Sequence, residues 1–124
     1  MRKQYHFWPA ADGFDAWDVD RLIGLSAGLP VERVALATIS EIDSNYWFTE
    51  ADPPTVRRII DHVRPVADVD LGYAIILGHD GRVMDGMHRI ARALLEGQSE
   101  IDAVRFPGPV DPDYRNCQPG DLPY

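Results

Sequence analysis

Gly86-Met87-His88-Arg89 stand where a short apolar run ending in Asp85 gives way to a helical pattern that continues to Glu96. A strand that ends there, turns and starts a helix would place these residues in the helix's first turn. The first N–H groups of a helix have no intrahelical partner, and the macrodipole makes that end positive. Gly86 would let a ligand come close to the backbone. His88 and Arg89 would add donors and charge, with Arg92 on the same side of the helix. The expected chemistry is capture of a phosphate or carboxylate. The plain alternative is structural, with His88 capping a loop and Arg89 pairing with Asp85 or Glu50.

Asp85 reads in two ways. As an N-cap it would accept backbone N–H bonds. It would then put negative charge beside a bound phosphate, a conflict relieved by a bridging Mg²⁺ or by Asp85 turning away to act as a base. Glu41 and Asp43, after the first predicted strand, are further acids for catalysis or metal binding, or else solvated. Tyr46-Trp47-Phe48 could stack a ligand ring. Three consecutive aromatics cannot all face one way, so at least one is expected in the core.

The stretch from Gly86 to Gly97 resembles the GxHRxxA-type motif of the ParB/sulfiredoxin-like superfamily. ParB proteins carry a Gly-Glu-Arg-Arg box at this point. Here Met87 replaces the Glu, His88 the first Arg, and Arg89 keeps the second; Ala93 and Gly97 fall where the box has small residues. The segment from about Ile39 to Phe106 is similar to the core of that fold, and small bacterial ParB-like proteins are the nearest in kind. The resemblance implies a nucleotide (ATP, ADP or CTP) with Mg²⁺. Gly86, Met87, His88, Arg89 and Arg92 would hold the nucleotide. Asp85, Glu41 and His88 would be catalytic, and Asp85 with Asp43 would ligate the metal. Met87 is also read as a packing residue that shares a helical face with Ile90, Ala91 and Leu94.

The superfamily hosts several activities, and the residues narrow them. Sulfiredoxin chemistry needs a cysteine immediately before the His-Arg pair; Met87 stands there, and the single cysteine is Cys117. Partition-type DNA reading needs a helix-turn-helix and a dimerisation domain after the motif, where this sequence has a short proline-rich stretch. The expectation is therefore a small-molecule phosphotransferase acting on a nucleotide and a metabolite. The alternative is a non-catalytic nucleotide-sensing or partner-binding module, and a nuclease ranks below both.

The elements that must position these residues can be read from periodicity. An extended arm over 1–14 leads to a helix over Ala16 to Ala27, capped by Asp15. A strand at Val34-Ala35-Leu36 extends toward Ile39. A second helix opens at Pro53-Pro54, buries Val56, Ile59, Ile60 and Val63 on one face, and stops at Pro65. Ala74 to Leu77 is a strand buried on both faces, joined through Asp80-Gly81 to Arg82-Val83-Met84. The motif helix buries Met87, Ile90, Ala91 and Leu94, and Gly97 ends it. A last strand covers Ile101 to Phe106. Residues 107–124, with five prolines and two glycines, read as an extended tail. The expected fold is mixed α/β (α+β-like), with a small sheet and about three helices. It forms one domain over 1–124, with its core at about 34–106. His6, His62 and His79 read as incidental, and no histidine pair stands at metal-ligand spacing.

Composition bounds the partners. No apolar run approaches the ~20 residues that span a bilayer, and the N-terminus lacks a secretory h-region. With the single cysteine, these features lead to an expected cytoplasmic location without a membrane partner. Twelve Lys and Arg against twenty Asp and Glu give a net charge of −8. Phosphate neutralisation dominates duplex binding, so no duplex DNA partner is expected. Gel shifts at physiological salt should show no complex tighter than the ~10⁻⁴–10⁻⁶ M of non-specific binders. Sub-micromolar binding there would contradict this.

Overall fold

In the computed structural model, which describes residues 3–124, the chain folds as mixed α+β with three helices and two small sheets. The first sheet is antiparallel and built from both ends of the chain. Strands β1 (Tyr5–Ala10) and β2 (Gly13–Asp18) form a hairpin, and β7 (Tyr114–Cys117) adds to β2. The second sheet has the order β3-β6-β4-β5, from β3 (Glu32–Ala35), β4 (Ile75–Leu77), β5 (Val83–Asp85) and β6 (Glu100–Arg105). Its β4 and β6 are parallel, and its other pairs are antiparallel. The helices are α1 (Val19–Ser26), α2 (Val56–Asp68) and α3 (Met87–Leu95).

The apolar run of β4 is buried on both faces, as its lack of alternation predicts. Ile75 and Leu77 join Val83, Met87, Ile90 and Ala93 in the core beneath α3. Ile76 points the other way, toward Leu22 of α1, Val104 and Phe106. Side chains alternate across a strand, so three residues serve two cores. The sheet thus lies between α3 on one face and α1 on the other.

Several sequence expectations shift for identifiable reasons. Of the arm expected over 1–14, Met1 and Arg2 lie outside the described residues; Tyr5 onward forms the β1–β2 hairpin, because its aromatic-rich segments pair across the turn: His6 faces Trp17 and Phe7 faces Ala16. Pairing claims Asp15 to Trp17, so α1 starts later, at Val19, with Asp18 as its cap through a 2.9 Å bond from the Asp20 amide. The tail also enters the fold. Trp17 Nε1 donates to the Val110 carbonyl at 2.8 Å, β7 pairs with β2, and Leu122 is buried. Strand β3 ends at Ala35, and the chain tightens into 3₁₀ turns at Leu36–Thr38 and Ser40–Asp43 that bury Leu36 and Ile39.

Helix α2 departs furthest from expectation. Thr55 caps it through the Arg58 amide at 3.2 Å. It runs through Pro65 to Asp68, and Arg92 of α3 donates to the Ala67 carbonyl of its last turn at 2.6 Å. Its apolar stripe, expected to be buried, is exposed at Val56, Ile59, Ile60 and Val63; Val66 is its buried residue. Helix α2 packs on α3 rather than on a sheet, so one edge of the stripe finds a partner and the rest does not.

Helix α3 is seated by Gly86, its N-cap, at φ 114°. A Cβ there would stand 2.6 Å from Ile75 Cγ2. The glycine therefore fits both a left-handed turn and a close approach to β4. Met87, Ile90 and Ala93 form the buried seam, while Leu94, expected inside, is exposed. The far end closes in a Schellman pattern, with Gln98 N–H donating to Ala93 O and Gly97 N–H to Leu94 O, both at 3.0 Å. Gly97, at φ 72°, has open space where a Cβ would sit. Gly97→Ala should therefore cost only the left-handed strain, about 1–2 kcal/mol. Gly86→Ala adds overpacking and should cost about 2–5 kcal/mol. Thermal and denaturant melting of the two variants checks this ordering; equal losses would mean the contact with Ile75 relaxes freely.

Candidate functional site

Strand β5 ends at Asp85 and α3 begins two residues later, so the residues singled out in the sequence meet at one junction. Asp85 does not cap the helix. The cap position is Gly86, and among the described residues no side chain bonds the first-turn N–H groups. Helices α1 and α2, by contrast, are capped by Asp18 and Thr55. Asp85 instead accepts from Arg89 Nη2 at 2.8 Å, one turn along the helix. Arg89 Nη1 also donates to the Ala74 carbonyl at 3.2 Å and to that of Tyr73 at 3.3 Å. One guanidinium thus ties together the helix start, the end of β5 and the segment leading into β4.

The pair stands at the edge of a broad cleft of about 1400 Å³. Asp85, Gly86, His88 and Arg89 form one side of this cleft; Val19, Ile23 and Ser26 of α1 and Tyr73 lie among its other walls. The Asp85 and Arg89 side chains are only 20% and 15% exposed, so their attraction is little screened. Burial nevertheless pushes the Asp85 carboxyl above its ordinary value, against the pull of Arg89. The loss of hydration outweighs the ion pair here.

His88 anchors a second cluster. Its Nε2 lies 2.9 Å from His62 Nδ1 on α2. The Trp47 indole stacks on both imidazoles, with centroids 4.6 Å from His62 and 5.0 Å from His88. Phe48 meets His62 edge-on at 5.3 Å. Burial lowers the pKa of both histidines; beyond burial, the Arg58 charge acts on His62, and His62 acts on His88. Both rings are therefore neutral near pH 7, and one proton is shared across the 2.9 Å bond. His62 Nε2 is buried without a hydrogen-bond partner. His62 read as incidental because it is remote from His88 in sequence; no local signal joins them.

The remaining residues are placed elsewhere. Glu41 Oε1 accepts from the Val83 amide at 2.7 Å and so ties the turn after β3 to β5. Burial raises its pKa, and the Val83 bond opposes that. Tyr46 donates to the Val83 carbonyl at 3.4 Å, and burial pushes its phenol well above the ordinary range. Asp43 is exposed on the turn that carries Glu41. Met87 is buried in the core. Arg92 bonds Glu96 at 2.9 Å and the Ala67 carbonyl, on the side of α3 facing α2. Of the aromatic triplet, Tyr46 and Trp47 pack against the core, and none stands open to a ligand ring in the cleft. Among the described residues no three His, Cys, Asp or Glu side chains converge as metal ligands.

His6 also has a partner, contrary to the sequence reading. Its ring lies 5.4 Å from Trp17, and burial brings its pKa down to about 4. No helix among the described residues is long and apolar enough to cross a membrane. No family model, curated protein or solved structure matches this chain.

His6, His62 and His88 give the fold an acid response. Their folded pKa values lie below the ordinary 6.5, so below about that pH the unfolded chain binds protons that the folded chain refuses. Stability is whole above that value and falls as the pH drops beneath it. Melting temperatures should decline from about pH 7 to about pH 5. The decline should be shallower in His88→Gln, which removes one member of the pair while His6 keeps contributing. An unchanged slope in that variant would place the acid sensitivity elsewhere.

Proposed function

We propose that this chain is a ParB/sulfiredoxin-like domain that binds the phosphates of a small nucleotide, ATP, ADP or CTP, at the start of α3. We propose further that it transfers a phosphoryl group from that nucleotide to a small acceptor. The observation that carries the reading is the junction itself. A glycine-led first turn without a side-chain cap opens on the same cleft as Asp85, His88 and Arg89. Free N–H groups and the helix dipole favour an anion there. A phosphate seated on them competes with Asp85 for Arg89 Nη2. As Arg89 turns to the phosphate, Asp85 is left as a half-buried carboxylate with a raised pKa, suited to accept a proton. The acceptor hydroxyl oxygen then bonds to the terminal phosphorus, its proton passes to Asp85, and the nucleotide leaves with the electrons of the broken P–O bond.

Magnesium has no built position among the described residues. Asp85 is held by Arg89, Glu41 by the Val83 amide, and Asp43 is exposed on its turn. A second reading, a nucleotide-sensing module without catalysis, is favoured by one observation. The Arg89 guanidinium already holds three acceptors, two of them backbone carbonyls that order the segment before β4.

Amide chemical shifts and calorimetry with ATP, ADP and CTP test the site. Nucleotide should move the Gly86 to Arg89 amides, and Arg89→Ala should weaken binding about 10–100-fold, the loss of one charge-assisted contact. Asp85→Asn releases Arg89 and should bind nucleotide at least as tightly while losing turnover. Unmoved amides would end the proposal. Tight binding without product from any metabolite pool would leave the sensing module.

A further inference from the structure

We infer that His62 is a positioning residue. By donating from Nδ1 it fixes the tautomer of His88, so that His88 turns an Nδ1–H donor, and not a base, toward the cleft. The inference rests on the proposed nucleotide site only for the oxygen that accepts this bond.

Proton counting frames the choice. A neutral imidazole carries one N–H and one bare nitrogen. His88 Nε2 and His62 Nδ1 lie 2.9 Å apart, so one donates and the other accepts. Each choice fixes the two outer nitrogens. If His88 Nε2 donates, the proton of His62 sits on Nε2 and His88 Nδ1 is bare. If His62 Nδ1 donates, His62 Nε2 is bare and the proton of His88 sits on Nδ1.

The surroundings decide between them. Among the described residues, His62 Nε2 is the one side-chain nitrogen or oxygen that is buried without a hydrogen-bond partner. The first arrangement strands an N–H there. Buried backbone N–H groups are almost never left without an acceptor, while under-satisfied acceptors are commoner, and a ring N–H pays the same loss of hydration. The second arrangement strands no donor. One proton lies in the bond between the rings, and the other is on His88 Nδ1. That nitrogen has no partner among the described residues and is not buried. His88 borders the cleft; it does not line the groove of about 740 Å³ between α2 and α3, where His62 stands with Trp47 and Phe48. The free N–H of His88 therefore opens on the cleft. Trp47 stacks on both rings, whose planes are 24° apart.

This gives the cleft a consistent set of donors. The first-turn amides of α3, the Arg89 guanidinium and a neutral imidazole N–H can all donate to an anionic oxygen. Proton acceptance falls to Asp85 alone. Without His62, the His88 proton is free to occupy either nitrogen, and the donor is present for only part of the time.

Proton–nitrogen correlation spectra of the histidine rings, recorded on the full chain at about pH 8 where both rings are neutral, read the tautomer directly. His88 should show a protonated Nδ1 and a bare Nε2, with His62 protonated on Nδ1. In His62→Phe, which keeps a ring between Trp47 and Phe48, His88 should become a mixture of tautomers. Added ATP should shift the His88 Nδ1 signal and leave the proton on it. A proton on His88 Nε2 in the parent chain overturns the inference without any variant. So does a His88 tautomer that His62→Phe leaves unchanged. If ATP moves the Gly86 to Arg89 amides but not His88 Nδ1, the nucleotide site stands and the donor role of His88 falls. If ATP moves neither, the nucleotide reading has failed, while a parent Nδ1–H that His62→Phe scrambles still upholds the positioning role of His62.

Discussion

The structure depends on how closely α3 can lie against β4. With only hydrogen on the Gly86 Cα, the chain turns through a left-handed φ and drops directly from the end of β5 into the helix, against Ile75. That seat sends Met87, Ile90 and Ala93 into the core. It also turns Asp85, His88 and Arg89 toward the cleft. The glycine that could admit a ligand is thus first the glycine that admits a β-strand, and the two roles share one cause, the missing Cβ.

Around this seat, hydrogen bonds to backbone carbonyls and amides do the joining. Arg89 gathers the carbonyls of Tyr73 and Ala74, Glu41 holds the Val83 amide, and Arg92 supports the end of α2 past Pro65. Long charged side chains with several donors or acceptors can satisfy segments that no regular ladder reaches. They explain how short strands and short helices hold fixed positions in a chain of this size.

The neutral His62–His88 pair, roofed by Trp47, is the polar element of the α2–α3 interface. His88 belongs to the cleft, and His62 and Trp47 belong to the groove. The two surfaces therefore share one wall, whose geometry relies on a single 2.9 Å bond and two stacked rings. Burial lowers the pKa of both imidazoles, which favours the bond between two neutral rings.

The sequence by itself determined whatever depends on neighbours along the chain. The double burial of Ile75 to Leu77, the hairpin at Asp80-Gly81, the helix start after Asp85 and its end at Gly97 are all local in origin. So is the mixed α/β class. Each follows from side-chain period or from a residue that tolerates one backbone conformation. Tertiary structure decided what depends on partners far along the chain. The segment from Tyr5 to Asp18 became a hairpin, and the tail supplied its third strand, because β1 and β7 each pair with β2. Asp85 gave up a cap for Arg89. His62 acquired His88 and Trp47. The apolar stripe of α2 looked like a core face, since periodicity records which residues share a side but not whether anything covers it. Only packing answers that, and here α3 covers one edge and leaves the rest to solvent.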